Sequence, residues 1–383
     1  LKSFLVGAIL RANQVSCSGY AEPGKHFSDV IGMKDPETSP TTGRPTIKTL
    51  SKLTGFSIAT ISKALHDSPV VTEETKQVIR KAAASIGYEA SLRGKSLRTG
   101  LTYQIAVLMP VPSETEYEWD GVEYTQILSG ISQALQGSPY QLAVHIVRNA
   151  DDGLQVARKI VSQGIADAMI FSGIRAQDAR IDYLIAEDFP FATMGRCRSP
   201  LEYAHVDVDS GWAAYAATAR LIAGGHKRVA LINPDPVLSY ALDRMDGFRR
   251  AFAEVGLAPC DDLIRAGDLT AKFGKASALS LRGFDDPPTG FVCVNEATTL
   301  GVLSALAELG LRVGIDADVI AYDDINVSAY FTPPLTTLYL PIAQLGEQLG
   351  SFLLRRLAGE AAGTLTAVFR PELVVRQADR LGG

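Results

Sequence analysis

Thr46-Ile47-Lys48-Thr49-Leu50-Ser51-Lys52-Leu53-Thr54-Gly55-Phe56-Ser57-Ile58-Ala59-Thr60-Ile61-Ser62-Lys63-Ala64-Leu65 spaces its apolar side chains as two short helices around a turn. Ile47, Leu50 and Leu53 recur at helical intervals, Gly55 falls where the chain must reverse, and Ser57 is placed to cap a second helix. In that second helix Ile61 and Leu65 form the inward pair at i, i+4, while Ile58, Ala59, Ser62 and Lys63 lie toward the other side. Small and hydrogen-bonding side chains on an outward helix suit base edges and phosphates, so the run reads as a helix-turn-helix. The pattern alone also fits a two-helix corner of any helical domain.

Working outward, Ser68-Pro69-Val70-Val71 reads as an extended link. Thr72 caps a third helix whose first turn carries Glu73 and Glu74, favourable against the positive end of the dipole. Val78, Ile79, Ala82 and Ile86 give it an apolar stripe and Gly87 a stop. A basic stretch from Tyr88 to Gly100 follows. Between Arg44 and Gly100 stand ten Lys and Arg against four acids, a net of +6 in a chain whose total is −5, which leaves −11 elsewhere. Positive charge gathered in one module is what a grip on phosphates requires.

Three runs now stand in order: Ser57-x-Ala59-Thr60-Ile61-Ser62-Lys63-Ala64-Leu65 with Val71-Thr72-x-x-Thr75, then Ile86-Gly87-Tyr88, then Ser96-Leu97-Arg98-Thr99-Gly100. Together they resemble the DNA-binding head and hinge of the lactose/galactose repressor (LacI/GalR) family. The resemblance implies that Ile58, Ala59 and Lys63 read bases, that Thr60 and Ser62 meet phosphates, and that Leu97 wedges into the minor groove at the operator centre. Thr46, Ser57, His66 and Arg98 join them as DNA-contact candidates. His66 stands where the family has Asn, Ala90-Ser91 replaces its Pro-Asn, and Gly94 replaces an Ala of the hinge helix. Glycine costs about 1 kcal/mol of helix propensity against alanine, so the hinge helix is expected to be poorly ordered without DNA or a paired copy.

A chain of 383 residues suggests two or three domains, and 46% hydrophobic with 21% charged residues is the balance of a soluble globular protein. Cys17, Cys197, Cys260 and Cys293 are scattered without a CxxC, and the five histidines have no ligand spacing, so no metal or disulfide framework is expected and a reducing cytoplasm fits. Residues 1–43 open with a seven-residue apolar core, Phe4 to Leu10, that Arg11 ends, too short for a convincing signal peptide. They read as a disordered extension or an over-called start and receive no function. No apolar run approaches the roughly 18 residues of a membrane span.

Beyond Gly100 short apolar runs alternate with amphipathic helical stretches. Runs 105–109, 142–147, 168–171 and 191–194 read as buried parallel strands, followed by others at 229–232, 263–264, 291–294, 319–322 and 368–375. So many units exceed one open sheet of ordinary size, which points to two doubly wound subdomains.

Gly225-His226-Lys227-Arg228-Val229-Ala230-Leu231-Ile232, Arg244-x-x-Gly247-Phe248, Asn295-Glu296-x-x-x-x-Gly301, Tyr322-Asp323-Asp324 and Pro333-Pro334-Leu335-Thr336-Thr337 look like the effector domain of the same family. The resemblance implies a small all-α helix-turn-helix head joined by a hinge helix to an α/β periplasmic-binding-protein-like effector domain of two doubly wound subdomains. The expected limits are 44–90 for the head, 91–100 for the hinge helix and 101–383 for the effector-binding and dimerisation domain. Subdomain one takes about 101–222 plus 339–358, and subdomain two about 223–338 plus 359–377. By position Asp209, Arg244, Asn295 and Asp323 match ligand-contacting residues, with Trp119, or its neighbour Tyr117, as a stacking ring. An Arg fork, carboxylates and an amide suit adjacent hydroxyls, although the same four residues also suit salt bridges that close a cleft, and a loop aromatic also suits local packing.

Gly94-Lys95-Ser96 fails as a phosphate loop because Glu89 stands where the motif needs its first glycine, and Asp207-x-Asp209-x-Gly211 is too short for a calcium loop. No GxGxxG, nucleophile elbow or catalytic constellation appears, so no enzyme activity and no cofactor are expected. The reading is a ligand-responsive transcription regulator, most plainly a homodimeric repressor of carbohydrate-utilisation genes that a sugar releases from a palindromic operator. Two rivals stand beside it: a purine-type, corepressor-dependent regulator of the same fold, and a solute-binding protein with a vestigial head.

Overall fold

The computed structural model describes residues 44–89, 92–111, 122–323 and 325–376. The chain forms two compact units, the first ending at Ala90 and the second beginning at Ser91. In the first, α1 (Ile47–Thr54) and α2 (Ile58–Leu65) are separated by Gly55, whose φ of 74° only glycine adopts cheaply. Thr46 forms a capping box with Thr49, and the Ser57 hydroxyl accepts the Thr60 N–H at 3.1 Å. A third helix, α3 (Glu73–Ser85), starts at Thr72 and closes the core of Leu50, Ile61, Ala64, Val71, Ile79 and Ala83.

Two details differ from the periodicity reading. Ala64, not Leu65, is the fully buried partner of Ile61, and Val78 on α3 points to solvent while Ala83 packs inward. The inward stripe of α3 begins instead at Lys76, whose stem is buried and whose ammonium pairs with Glu73 at 2.8 Å.

The second unit opens with the hinge helix α4 (Leu92–Thr99). The helix runs through Gly94 without a break. Two six-stranded sheets follow. The first has the order β11-β5-β4-β3-β1-β2, built from β1 (Gln104–Pro110), β2 (Gln141–Val147), β3 (Ala168–Phe171), β4 (Phe191–Met194), β5 (Ala204–Val208) and β11 (Thr366–Phe369), all parallel. The second is β12-β10-β9-β8-β6-β7: β6 (Val229–Pro234), β7 (Ile264–Gly267), β8 (Gly290–Val292), β9 (Asp318–Asp323), β10 (Thr337–Tyr339) and an antiparallel edge, β12 (Glu372–Val374).

Each sheet is covered on both faces, as buried parallel strands require. Helices α5 (Val122–Ala134) and α12 (Ile342–Leu357) pack on one face of the first sheet, with α6 (Ala150–Gln163) and α7 (Ala179–Ala186) on the other. The second sheet lies between the pair α8 (Ser210–Ala223) and α9 (Ser239–Glu254) and the pair α10 (Ala271–Arg282) and α11 (Glu296–Glu308). Three of these helix pairs touch backbone to backbone at glycine. A Cβ on Gly247 of α9 would overlap the Gly211 carbonyl of α8, one on Gly346 of α12 that of Ile127 in α5, and one on Gly301 of α11 that of Ala271 in α10.

The crossings between subdomains lie elsewhere than the sequence limits put them. Helix α8, allotted to subdomain one, packs on the second sheet, because its Ala213, Ala217 and Leu221 face Val229, Leu231 and Phe248. The run 368–375 is not one strand but two: β11 pairs in parallel with β5, and two residues later β12 pairs with β10, so 359–369 belongs to subdomain one. Asp209 stands at this junction. Its N–H donates to the Phe369 carbonyl at 2.8 Å and its carboxylate pairs with Arg370 at 3.1 Å, stapling two of the crossing segments together.

Candidate effector cleft and DNA-contacting face

Carboxyl ends of parallel strands leave a crevice where adjacent loops part, and here both sheets present those ends to one shared cleft of about 520 Å³. Ser172 and Gly173 follow β3, Gly195 and Arg196 follow β4, Asp207 is the second-to-last residue of β5, and Asp235 and Val294 follow β6 and β8. Five arginines and five carboxylates are among the described residues that line it, so their charges balance.

Of the expected contacts, Arg244 and Asn295 line this cleft. Arg244 is buried on α9; its Nε donates to the Asn233 amide oxygen at 3.2 Å and its Nη2 to the Cys293 carbonyl at 3.1 Å, with Tyr322 beneath its guanidinium at 5.8 Å. Desolvation pulls its guanidinium below the ordinary range. Asn295 caps α11: its oxygen accepts the Thr298 N–H at 2.9 Å and its amide donates to the Leu269 carbonyl at 3.0 Å. That capping holds the amide rigidly at the cleft wall.

Asp209 does not line the cleft. Its Oδ1 accepts the Trp212 N–H at 2.9 Å as the cap of α8 and its Oδ2 meets Arg370, so the helix start and the crossing consume it. The acid in the cleft is Asp207, two residues earlier: buried, and paired with Arg196 at 2.9 Å. Burial pushes its carboxyl up to about 6, against the pull of the Val208 N–H and the Arg196 guanidinium. Asp323 closes β9 with its backbone, opposite Tyr339, and its side chain lies outside the described residues, as do Tyr117 and Trp119.

Sequence reasoning missed the wall supplied by the first subdomain. Tyr124 on α5 shares a hydrogen bond with Ser172 at 3.1 Å. Nearby Arg180 is buried in a two-pronged contact with Asp178, at 2.9 and 2.6 Å, and donates to the Gly173 carbonyl at 2.8 Å. A rule that strand ends carry ligands would have pointed to residues 172, 196 and 207 without any motif. Aromatic faces come from Tyr124, Tyr240 and Tyr322, all in the cleft lining.

In the head, Ile58, Ala59 and Lys63 are exposed on one side of α2, with Thr60 and Ser62 half-buried beside them. Ser57 and Thr46 are exposed helix caps. His66 ends α2, its Nδ1 2.6 Å from the Ser62 carbonyl, which ties that ring to its own helix. Leu97 and Arg98 are exposed on α4, Leu97 by 89%. Among the described residues no group of three or more His, Cys, Asp or Glu could hold a metal ion, and no helix is long and apolar enough to cross a membrane.

A cleft between two doubly wound subdomains, on a chain headed by a helix-turn-helix, defines the class of ligand-responsive transcription regulators. Residues 218–378 match the family model of a periplasmic binding protein-like domain. The chain is 31% identical to the HTH-type transcriptional regulator AglR of Rhizobium meliloti, over 86% of this chain and 93% of that one. It is 27% identical to the HTH-type transcriptional repressor PurR of Mannheimia succiniciproducens, over 87% and 98%. In fold it is similar to the lac repressor dimer bound to operator (TM-score 0.74, 21% identity, 88% of this chain and 99% of that one) and to a CelR–cellobiose complex (0.65, 24%, 88% and 100%). The chain belongs to the LacI/GalR family of bacterial transcription regulators.

Proposed function

We propose that this regulator is a cytoplasmic homodimeric repressor that grips a near-palindromic operator and releases it when a neutral sugar enters the cleft. The cleft chemistry carries the reading. Charge-balanced arginines and carboxylates beside tyrosine faces suit a hydroxyl-rich, uncharged molecule, whose paired hydroxyls accept from guanidinium and donate to carboxylate. Arg244, Asn295 and Asp207 are its proposed contacts, with Asp323 at the end of β9 beside them. Similarity to the cellobiose-bound regulator supports a carbohydrate, and the PurR relatives make a nucleobase the alternative.

On the DNA side Ile58, Ala59 and Lys63 read bases, Thr60 and Ser62 meet phosphates, and Leu97 is the central wedge; Thr46, Ser57 and Arg98 flank the duplex. One head buries too little to discriminate among genomic sites, so two copies read the two half-sites together. Edge strand β2 exposes Val144 and Ile146 by 45% and 55%, which supports a second copy covering it. No catalytic step is assigned to any residue.

The test is thermal-shift screening of the whole protein against sugars and nucleobases, then titration of a selected duplex with whatever raises the melting temperature. Release by a sugar supports the proposal. Tighter operator binding with a nucleobase replaces it with the corepressor reading, and indifference of DNA retention to Lys63→Ala and Leu97→Ala leaves only a solute-binding protein with an inert head.

A further inference from the structure

Hinge helix α4 ends against one side chain, Tyr103. Its backbone sits in the left-handed region at φ 56°, a conformation costly for an aromatic residue, so the surroundings must hold it there. They do. Asp167, immediately before β3, accepts the Thr102 N–H at 2.8 Å with one carboxylate oxygen and the Tyr103 N–H at 2.7 Å with the other. Gln141, the first residue of β2, donates to the Tyr103 carbonyl at 2.9 Å, and the Tyr140 ring packs 5.6 Å away.

With the backbone fixed, the buried phenol is aimed at α4. Its hydroxyl donates to the Thr99 hydroxyl at 3.2 Å, and the Lys95 ammonium lies 4.6 Å over its ring. Lys95 and Thr99 are one helical turn apart and share a face. Leu97 lies two residues from each, roughly 200° around the helix, and is 89% exposed.

We propose that Tyr103 is the positioning residue that sets the rotation of the hinge helix about its own axis, so that Leu97 is presented away from the effector unit and toward the centre of the operator. This rests on reading Leu97 as the minor-groove wedge. Because Asp167 immediately precedes β3 and Gln141 opens β2, a movement of that sheet carries the phenol with it and turns the helix.

The full-length protein is titrated with a fluorescein-labelled duplex selected from a random pool on the wild-type protein. Leu97→Ala must weaken that duplex; if it does not, the wedge reading fails and this inference with it. Tyr103→Phe removes only its hydrogen bond to Thr99, whereas Thr99→Val also removes that hydroxyl's bonds to the Lys95 carbonyl and the Leu101 N–H; each is expected to weaken binding about three- to tenfold, and the double variant no more than Thr99→Val alone. In a Leu97→Ala background neither changes affinity further, while the melting temperatures of all variants stay within a degree or two of wild type. Wild-type affinity in Tyr103→Phe, or losses that persist undiminished without Leu97, overturns the role of Tyr103 and leaves the wedge reading standing.

Discussion

Two aspartates two residues apart do different work here. Asp209 is spent on the α8 cap and on Arg370, whereas Asp207, buried at the end of β5, faces the cleft. A carboxyl held near 6 in the folded chain against about 4 in the unfolded one binds its proton more tightly when folded. Its contribution to stability is therefore fully present below about pH 4 and is lost as pH rises through 6. Asp207→Asn, which has no charge to bury, is expected to melt higher than wild type at pH 7.5 by an amount worth about 3 kcal/mol, and the gap is expected to narrow to about a third of that at pH 4.5. Differential scanning fluorimetry at the two pH values checks this, and a gap that widens on acidification contradicts it. On the DNA side, Lys63→Ala is expected to cost about 1 to 3 kcal/mol on the preferred duplex and to relax preference at one position. Equal loss on scrambled DNA in an anisotropy titration assigns Lys63 to phosphate alone.

At the level of elements, what the sequence disclosed follows from which signals are local. The Ser57 cap, the turn at Gly55 and the apolar runs of the sheets depend on neighbours in the chain, so α1, α2, β1, β3 and β6 could be read directly. The crossings could not. Residues 368–375 are two short apolar runs around Arg370-Pro371-Glu372, a local break the single-strand reading passed over, and only partner strands distant in sequence decide that 366–369 pairs with β5 and 372–374 with β10. Asp209 misled for the same reason: the residue that consumes it, Arg370, is 161 positions away. Close helix pairs were equally invisible, since a glycine in a helix looks like a weakness until its partner backbone is seen. Gly247→Ala would drive a methyl into the Gly211 carbonyl and part α8 from α9, and is expected to destabilise the effector unit by about 1 to 3 kcal/mol or more in urea denaturation. Gly94→Ala is the opposite case. Open space surrounds Gly94, so the variant gains about 1 kcal/mol of helix propensity in α4 and is expected to bind operator several-fold more tightly and to need more effector for release.

Across the whole molecule the division of charge is the plan: a net of +6 between residues 44 and 100 against −11 in the rest. In the proposed reading the basic part supplies attraction to any duplex, and α2 and Leu97 supply the choice among duplexes. The acidic part carries the cleft, and a ligand there acts on DNA only through unequal affinity for two arrangements of the subdomains, typically 1 to 3 kcal/mol of coupling. The family was legible because its head motif is dense and ordered. The effector was not, because cleft residues come from eight or so strand ends whose meeting place no linear motif records. The measurement closest to the central claim is operator affinity of the purified protein across a salt series, with and without any sugar found to raise its melting temperature. The account predicts a steep fall of affinity with salt, a preference for a palindrome over scrambled DNA, and a five- to 150-fold loss on adding sugar, about the span of ordinary allosteric coupling. Salt-insensitive binding, or equal affinity for palindrome and scrambled DNA in both conditions, contradicts it.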